Sequence, residues 1–185
     1  MNTNTNTPKS IRTDFIEWIS KSPNKYHLTI TYIRGTSDIE AASTFQAFIN
    51  FLNKKVFCNR YWKKHNSHLK GIVARERSTN GTLHYHIIFT DSENDLPGTH
   101  EFDENVRGCI TKLKSKHNKN RLLTEEGGWK LQDYSNNGDN DLETYVTKNF
   151  ECTKMTADEA FNSIGLLGVD GVTFGGAARK HAYYY

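Results

Sequence analysis

Hydrophobic and polar residues alternate most cleanly between Lys25 and Ile33. Leu28, Ile30 and Tyr32 fall on one side, Thr29 and Thr31 on the other, the pattern of a strand with one buried face. Before it, Ser10 to Ser20 carries Phe15, Trp18 and Ile19 at the spacing of a short helix. After it, Ala41, Phe45, Phe48, Ile49, Leu52 and Val56 recur at helical spacing. Asp38 is the expected N-cap, and the helix is expected to reach about Trp62. Leu69 to Arg77 and Thr82 to Thr90 predict two further strands joined by a turn. A helix is expected within Asp103 to His117, a strand over Trp129 to Tyr134, a polar loop over Ser135 to Asn140 and a last helix over Asp141 to Phe150. The stretch from Gly165 to Tyr185 shows no clear period.

From the first strand on, the order is β-α-β-β-α-β-α. It predicts the α+β class: an antiparallel sheet of about five strands with helices packed on it. Residues 1–9, polar and rich in Asn and Thr, are expected to form a disordered arm, and residues 10–185 a single domain. With 36% hydrophobic and 12% aromatic residues the chain is expected to fold rather than stay disordered. No apolar run approaches the ~18 residues of a membrane span, and the N-terminus lacks the regions of a signal peptide. The protein is expected to act without a membrane partner, in the cytoplasm or in the interior of the cell that houses its gene.

Cys58, Cys109 and Cys152 lie far apart and form no CxxC pair, which argues against a zinc ribbon or a disulfide framework. The net charge of +3 is modest, but its distribution is uneven. Lys54, Lys55, Arg60, Lys63 and Lys64 cluster around Tyr61 and Trp62. Lys112, Lys114, Lys116, Lys119 and Arg121 form a second group with His117. Cations interleaved with aromatics suit a phosphate backbone with unstacked bases; the bland alternative is two solvated helix faces.

The most specific chemistry lies in His84-Tyr85-His86, within the run Leu83 to Phe89. Strand alternation sets the two imidazoles on one face and Leu83, Tyr85, Ile87 and Phe89 on the other. Thr79-Asn80-Gly81 fits a three-residue hairpin loop with Gly81 in the left-handed position. Ser78 then pairs with Thr82, Glu76 stands opposite His84, and Ala74 faces His86. This register gathers Glu76, His84 and His86 on one spot. One carboxylate and two imidazoles are a donor set suited to Mn²⁺ or Mg²⁺, and such an ion polarises a phosphodiester. Further along, Tyr145 and Lys148 are three apart on the expected last helix and so share a face. A phenol is a poor nucleophile at neutral pH unless a cation or an activated electrophile assists it.

Taken together, three segments resemble the motifs of the HUH endonuclease superfamily, and within it the single-tyrosine rolling-circle replication initiators (Rep proteins). Tyr26 to Tyr32 is similar to the first motif, Leu83 to Phe89 to the second and Tyr145 to Lys148 to the third, in the family's order. The resemblance spans about residues 25 to 150. It implies a ferredoxin- or RRM-like nuclease fold, and a divalent ion held by His84, His86 and Glu76. Tyr145 is then the nucleophile that nicks one DNA strand and keeps the 5′ phosphate, with Lys148 beside the phosphate and the basic clusters on the DNA. The implied partners are single-stranded or hairpin origin DNA, with a helicase and polymerase supplied in trans. No GxxxxGK[ST] loop is present, and Gly171 to Lys180 lacks its spacing. A single-tyrosine transposase of the same chemistry, and a single-stranded nucleic-acid-binding module without catalysis, are the competing readings.

Overall fold

The computed structural model describes residues 8–63, 67–116, 128–134, 162–168 and 171–174. Its elements are α1 (Pro8–Lys21), β1 (Asn24–Thr31), α2 (Asp38–Val56), a single 3-10 turn (Tyr61–Lys63), β2 (Lys70–Arg77), β3 (Leu83–Thr90), α3 (Thr99–Lys116), β4 (Trp129–Asp133), β5 (Ile164–Gly168) and β6 (Gly171–Phe174). The fold is α+β, a six-stranded antiparallel sheet with helices packed on it. The strands lie in the order β4-β1-β3-β2-β5-β6, and every pairing is antiparallel. From β1 to β4 the chain follows a β-α-β-β-α-β path of the ferredoxin-like kind.

One face of the sheet makes the core. Tyr26, Leu28 and Ile30 of β1 and Leu83, Tyr85, Ile87 and Phe89 of β3 cluster with Phe45, Phe48, Ile49 and Leu52 of α2. Phe102, Val106, Ile110 and Leu113 of α3 complete the cluster. Phe102 ties the layers, stacking on Tyr26 at 4.6 Å and meeting Phe89 edge-on at 5.3 Å. Because side chains alternate along a strand, this packing leaves the Thr29, Thr31, His84 and His86 side for the opposite face. Among the described residues no helix is long and apolar enough to cross a membrane.

Several boundaries differ from the sequence expectation. The N-cap of α2 is Ser37, not Asp38. Its hydroxyl accepts from the Glu40 backbone N–H, and the Glu40 carboxylate accepts from Ser37 N, a capping box. Asp38 instead pairs with Arg77 and Arg75 from β2. The helix stops at Val56, short of Trp62. There Asn53, fully buried, accepts the backbone N–H of Leu69 at 2.7 Å, which draws the chain from the end of α2 toward β2. Helix α3 opens at Thr99, four residues before the expected Asp103, and α1 opens at Pro8, inside the expected arm. Strands β5 and β6 were not expected at all. The rest of the arm, the loop after Tyr134 and the helix expected over 141–150 lie outside the described residues.

Candidate metal centre on the sheet face opposite the helices α2 and α3

The turn between β2 and β3 sets the geometry of the site. Gly81 takes φ +83°, a left-handed conformation that glycine adopts without steric cost. Ser78 N donates to Thr82 O at 2.9 Å, and Gly81 N to Ser78 O at 2.9 Å. The ladder that follows pairs Glu76 with His84 and Ala74 with His86, the register expected from the sequence. Gly71, further down β2, takes φ +151°, and a Cβ built there would lie 2.0 Å from the Ile88 carbonyl oxygen. Only glycine allows β2 to approach β3 this closely.

The face opposite the core carries His27, Thr29 and Thr31 from β1, His84 and His86 from β3, Glu76 and Ala74 from β2, and Lys130 and Gln132 from β4. The carboxylate Oε2 of Glu76 lies 3.4 Å from Nε2 of His86, and neither atom meets solvent. The rings of His84 and His86 stand nearly parallel, 18° apart, with centroids 6.3 Å apart. Ala74, opposite His86, contributes only a methyl group to this face.

The donor set can be tested for fit against a hard divalent ion. Metal–ligand bonds of 2.0–2.6 Å put neighbouring donors roughly 2.9–3.6 Å apart around such an ion. The 3.4 Å between Glu76 and His86 falls in that window. His84 is on the same face but not yet at the same point: among the described residues no three His, Cys, Asp or Glu groups converge on one position. Glu76 and His86 thus fit as a pair, with His84, opposite Glu76 in the ladder, as the candidate third ligand.

His27 had no assigned role in the sequence reading beyond its place in the first strand. Its ring stacks on His86 at 5.8 Å, and its Nδ1 lies 3.3 Å from Nε2 of Gln132. Burial, then the neighbouring His86 and Lys130, depress its pKa to about 4, so His27 is neutral at physiological pH. The signal for it was available: His27 shares its alternation phase with Thr29 and Thr31. Lys130 and Gln132 could be found only through the pairing of β4 with β1, Lys130 opposite Thr29 and Gln132 opposite His27.

The basic residues divide by layer. Lys54 and Lys55 are exposed in the last turn of α2, and Arg60 and Lys63 are exposed at the 3-10 turn beside the half-exposed Trp62. Lys112 is exposed on α3, with its ammonium 4.3 Å from the ring of Phe51 on α2. Lys55 and Lys112 both bear on Cys109, although burial dominates and pushes that thiol up to about 11. Lys55 and Lys112, one from each sequence cluster, therefore approach each other on the helical layer, on the side of the sheet away from His84 and His86. Lys130, opposite Thr29, is an exposed cation on the histidine face. Lys114 and Lys116 belong to α3, but their side chains, like all of Lys64, lie outside the described residues.

Tyr145 and Lys148 also lie outside them. The described tyrosines of the core make poor competitors for the nucleophile. Tyr26, Tyr32 and Tyr85 are almost wholly buried. Burial raises the Tyr32 phenol well above its ordinary range and the Tyr85 phenol to about 12, despite Arg75 beside Tyr85. No protein-family model, no curated protein and no solved structure matches this chain.

Proposed function

We propose that this protein nicks and rejoins single-stranded DNA at a replication origin through a covalent tyrosine intermediate, in the manner of an HUH replication initiator. The observation that carries the reading is the hairpin register, which puts Glu76 opposite His84 and its carboxylate 3.4 Å from His86 on the face of the sheet opposite the aromatic core. A carboxylate and two imidazoles gathered on one face of the inner strands β2 and β3 have a direct use in phosphodiester chemistry. The three motif-like segments of the sequence supply the remainder.

Glu76, His86 and His84 would hold Mn²⁺ or Mg²⁺, and the ion would supply charge stabilisation to the scissile phosphate. Tyr145 then attacks phosphorus as its phenolate. The P–O3′ bond breaks, the departing oxygen takes up a proton as a free 3′-hydroxyl, and a 5′-phosphotyrosine remains. The linkage keeps the energy of the phosphodiester, so attack by a 3′-hydroxyl reverses the step without ATP. Lys148 neutralises the phosphate. His27, held neutral, adds no second positive charge beside the ion. Lys130 and Gln132 extend the same face toward the path of a single strand, which would be supplied by a helicase and extended by a polymerase from elsewhere.

A second reading has one observation in its favour. The parallel, separated rings of His84 and His86 also suit a single-stranded nucleic-acid-binding face without catalysis. Cleavage of labelled single-stranded DNA carrying the candidate origin, with Mn²⁺, separates the two. His86→Ala is expected to abolish cleavage and to keep most of the binding. Full cleavage by His86→Ala refutes the metal assignment, and binding by wild type with no cleavage under any divalent ion favours the second reading.

A further inference from the structure

The two histidines of the candidate centre are each met by a threonine of the neighbouring strand. In the β1–β3 ladder Thr31 stands opposite His84 and Thr29 opposite His86. The Thr31 hydroxyl lies 3.0 Å from Nδ1 of His84, and the Thr29 hydroxyl 3.2 Å from Nδ1 of His86. Both contacts fall on the same ring nitrogen. Nε2 of His86 is thereby turned toward Glu76. Thr-Ile-Thr on β1 thus matches His-Tyr-His on β3, alternate residue against alternate residue.

A neutral imidazole has one N–H and one lone pair, and a bond at one nitrogen decides what the other can do. A ring whose Nδ1–H is taken by an oxygen offers Nε2 as a lone pair, the form a cation requires. Strand formation alone does not call for the hydroxyls. Valine has the same branched shape and at least the same preference for a pleated strand.

We propose that Thr29 and Thr31 are positioning residues of the metal centre. Their hydroxyl oxygens accept Nδ1–H of His86 and His84, and so assign Nε2 of both rings to the ion. This rests on the metal-dependent reading above. The Thr29 end is braced further: Nε2 of His27 lies 3.5 Å from the same hydroxyl, and the His27 ring stacks on His86.

The test compares Thr31→Val, which removes the hydroxyl and keeps the shape, with Thr31→Ser, which keeps the hydroxyl. The His84 ring is read first without metal, by long-range ¹H–¹⁵N NMR of chelator-treated protein at about pH 8, where free imidazoles are neutral. Wild type and Thr31→Ser are expected to show Nδ1 protonated, and Thr31→Val to shift toward the Nε2–H form. Mn²⁺ binding is then read by electron paramagnetic resonance. Thr31→Val is expected to bind roughly 10–100-fold more weakly, with serine restoring most of the loss. A folded Thr31→Val with the wild-type ring form, or with a changed ring form and unchanged Mn²⁺ affinity, overturns the proposal. Failure of wild type to bind Mn²⁺ at all overturns the metal-dependent reading instead. The ring form, read without metal, then still decides whether the hydroxyl holds the imidazole.

Discussion

Acidification is expected to weaken the fold through His27, by an amount that can be worked out. The ring is 6% exposed, and burial with His86 and Lys130 nearby lowers its pKa from 6.5 to about 4. At 1.36 kcal/mol per unit, this penalises the charged form by roughly 3 kcal/mol in full. The unfolded chain takes up this proton below about pH 6.5, the folded chain only below about pH 4. Between those values the unfolded state holds more protons, so stability is complete above the upper limit and falls as pH falls through the window. By about pH 5 the loss reaches about 2 kcal/mol. Other groups titrate too, so the decisive quantity is a difference between proteins. Urea unfolding of wild type and His27→Gln, both with chelator, is measured near pH 7.5 and pH 5. Glutamine keeps polar contacts to Gln132 and Thr29 but carries no titrating proton. Wild type is expected to lose about 2 kcal/mol more than the variant on acidification. Parallel losses in the two proteins refute the burial argument, as does an NMR titration in which His27 protonates near 6.5.

Three other outcomes follow from the same geometry. Gly71→Ala forces a Cβ against the Ile88 carbonyl; backbone strain alone is expected to cost about 1–3 kcal/mol in urea unfolding, and the β2–β3 register that carries Glu76 is expected to loosen. Asp91 is pushed up by burial, but bonds from Lys25 and from the Leu96 and Asp95 backbone N–H groups outweigh that and hold it below the ordinary carboxylate value. Its contribution is present above that value and lost as pH falls through the depressed one, so Asp91→Asn is expected to flatten the acid limb of the unfolding profile. Lys130→Ala is expected to weaken single-stranded DNA binding more than Lys54→Ala or Lys55→Ala, and to reduce the salt slope by about 0.7 for a lost phosphate contact. Equal effects from both sets would contradict the division of the cations between the two faces.

The parts of the site visible in the sequence are those governed by local rules. Gly81 in a three-residue loop fixes the hairpin, the hairpin fixes the register, and the register fixes which side chain faces His84. The alternation of Leu28, Ile30 and Tyr32 likewise determined which face of β1 is buried. What escaped depends on packing at a distance. Strands β5 and β6 are short and include Gly165, Gly168 and Gly171, so no alternating pattern marks them, and β2, the partner that brings β5 into the sheet, lies about ninety residues earlier in the chain. Lys130 and Gln132 join the site only because β4 pairs with β1. The basic clusters were plain in the sequence, but their side of the sheet was not, since charge says nothing about which layer a helix occupies. Ser37 was hidden by Asp38 beside it, although Glu40 three residues after Ser37 was the signature of the true cap.

The most direct test of the central claim is a denaturing gel of labelled single-stranded origin DNA with wild type and Tyr145→Phe, in Mn²⁺ or Mg²⁺. The account predicts a metal-dependent covalent protein–DNA band that the variant lacks while still binding the DNA. A band of equal strength in Tyr145→Phe, or none in wild type despite tight binding, would contradict it.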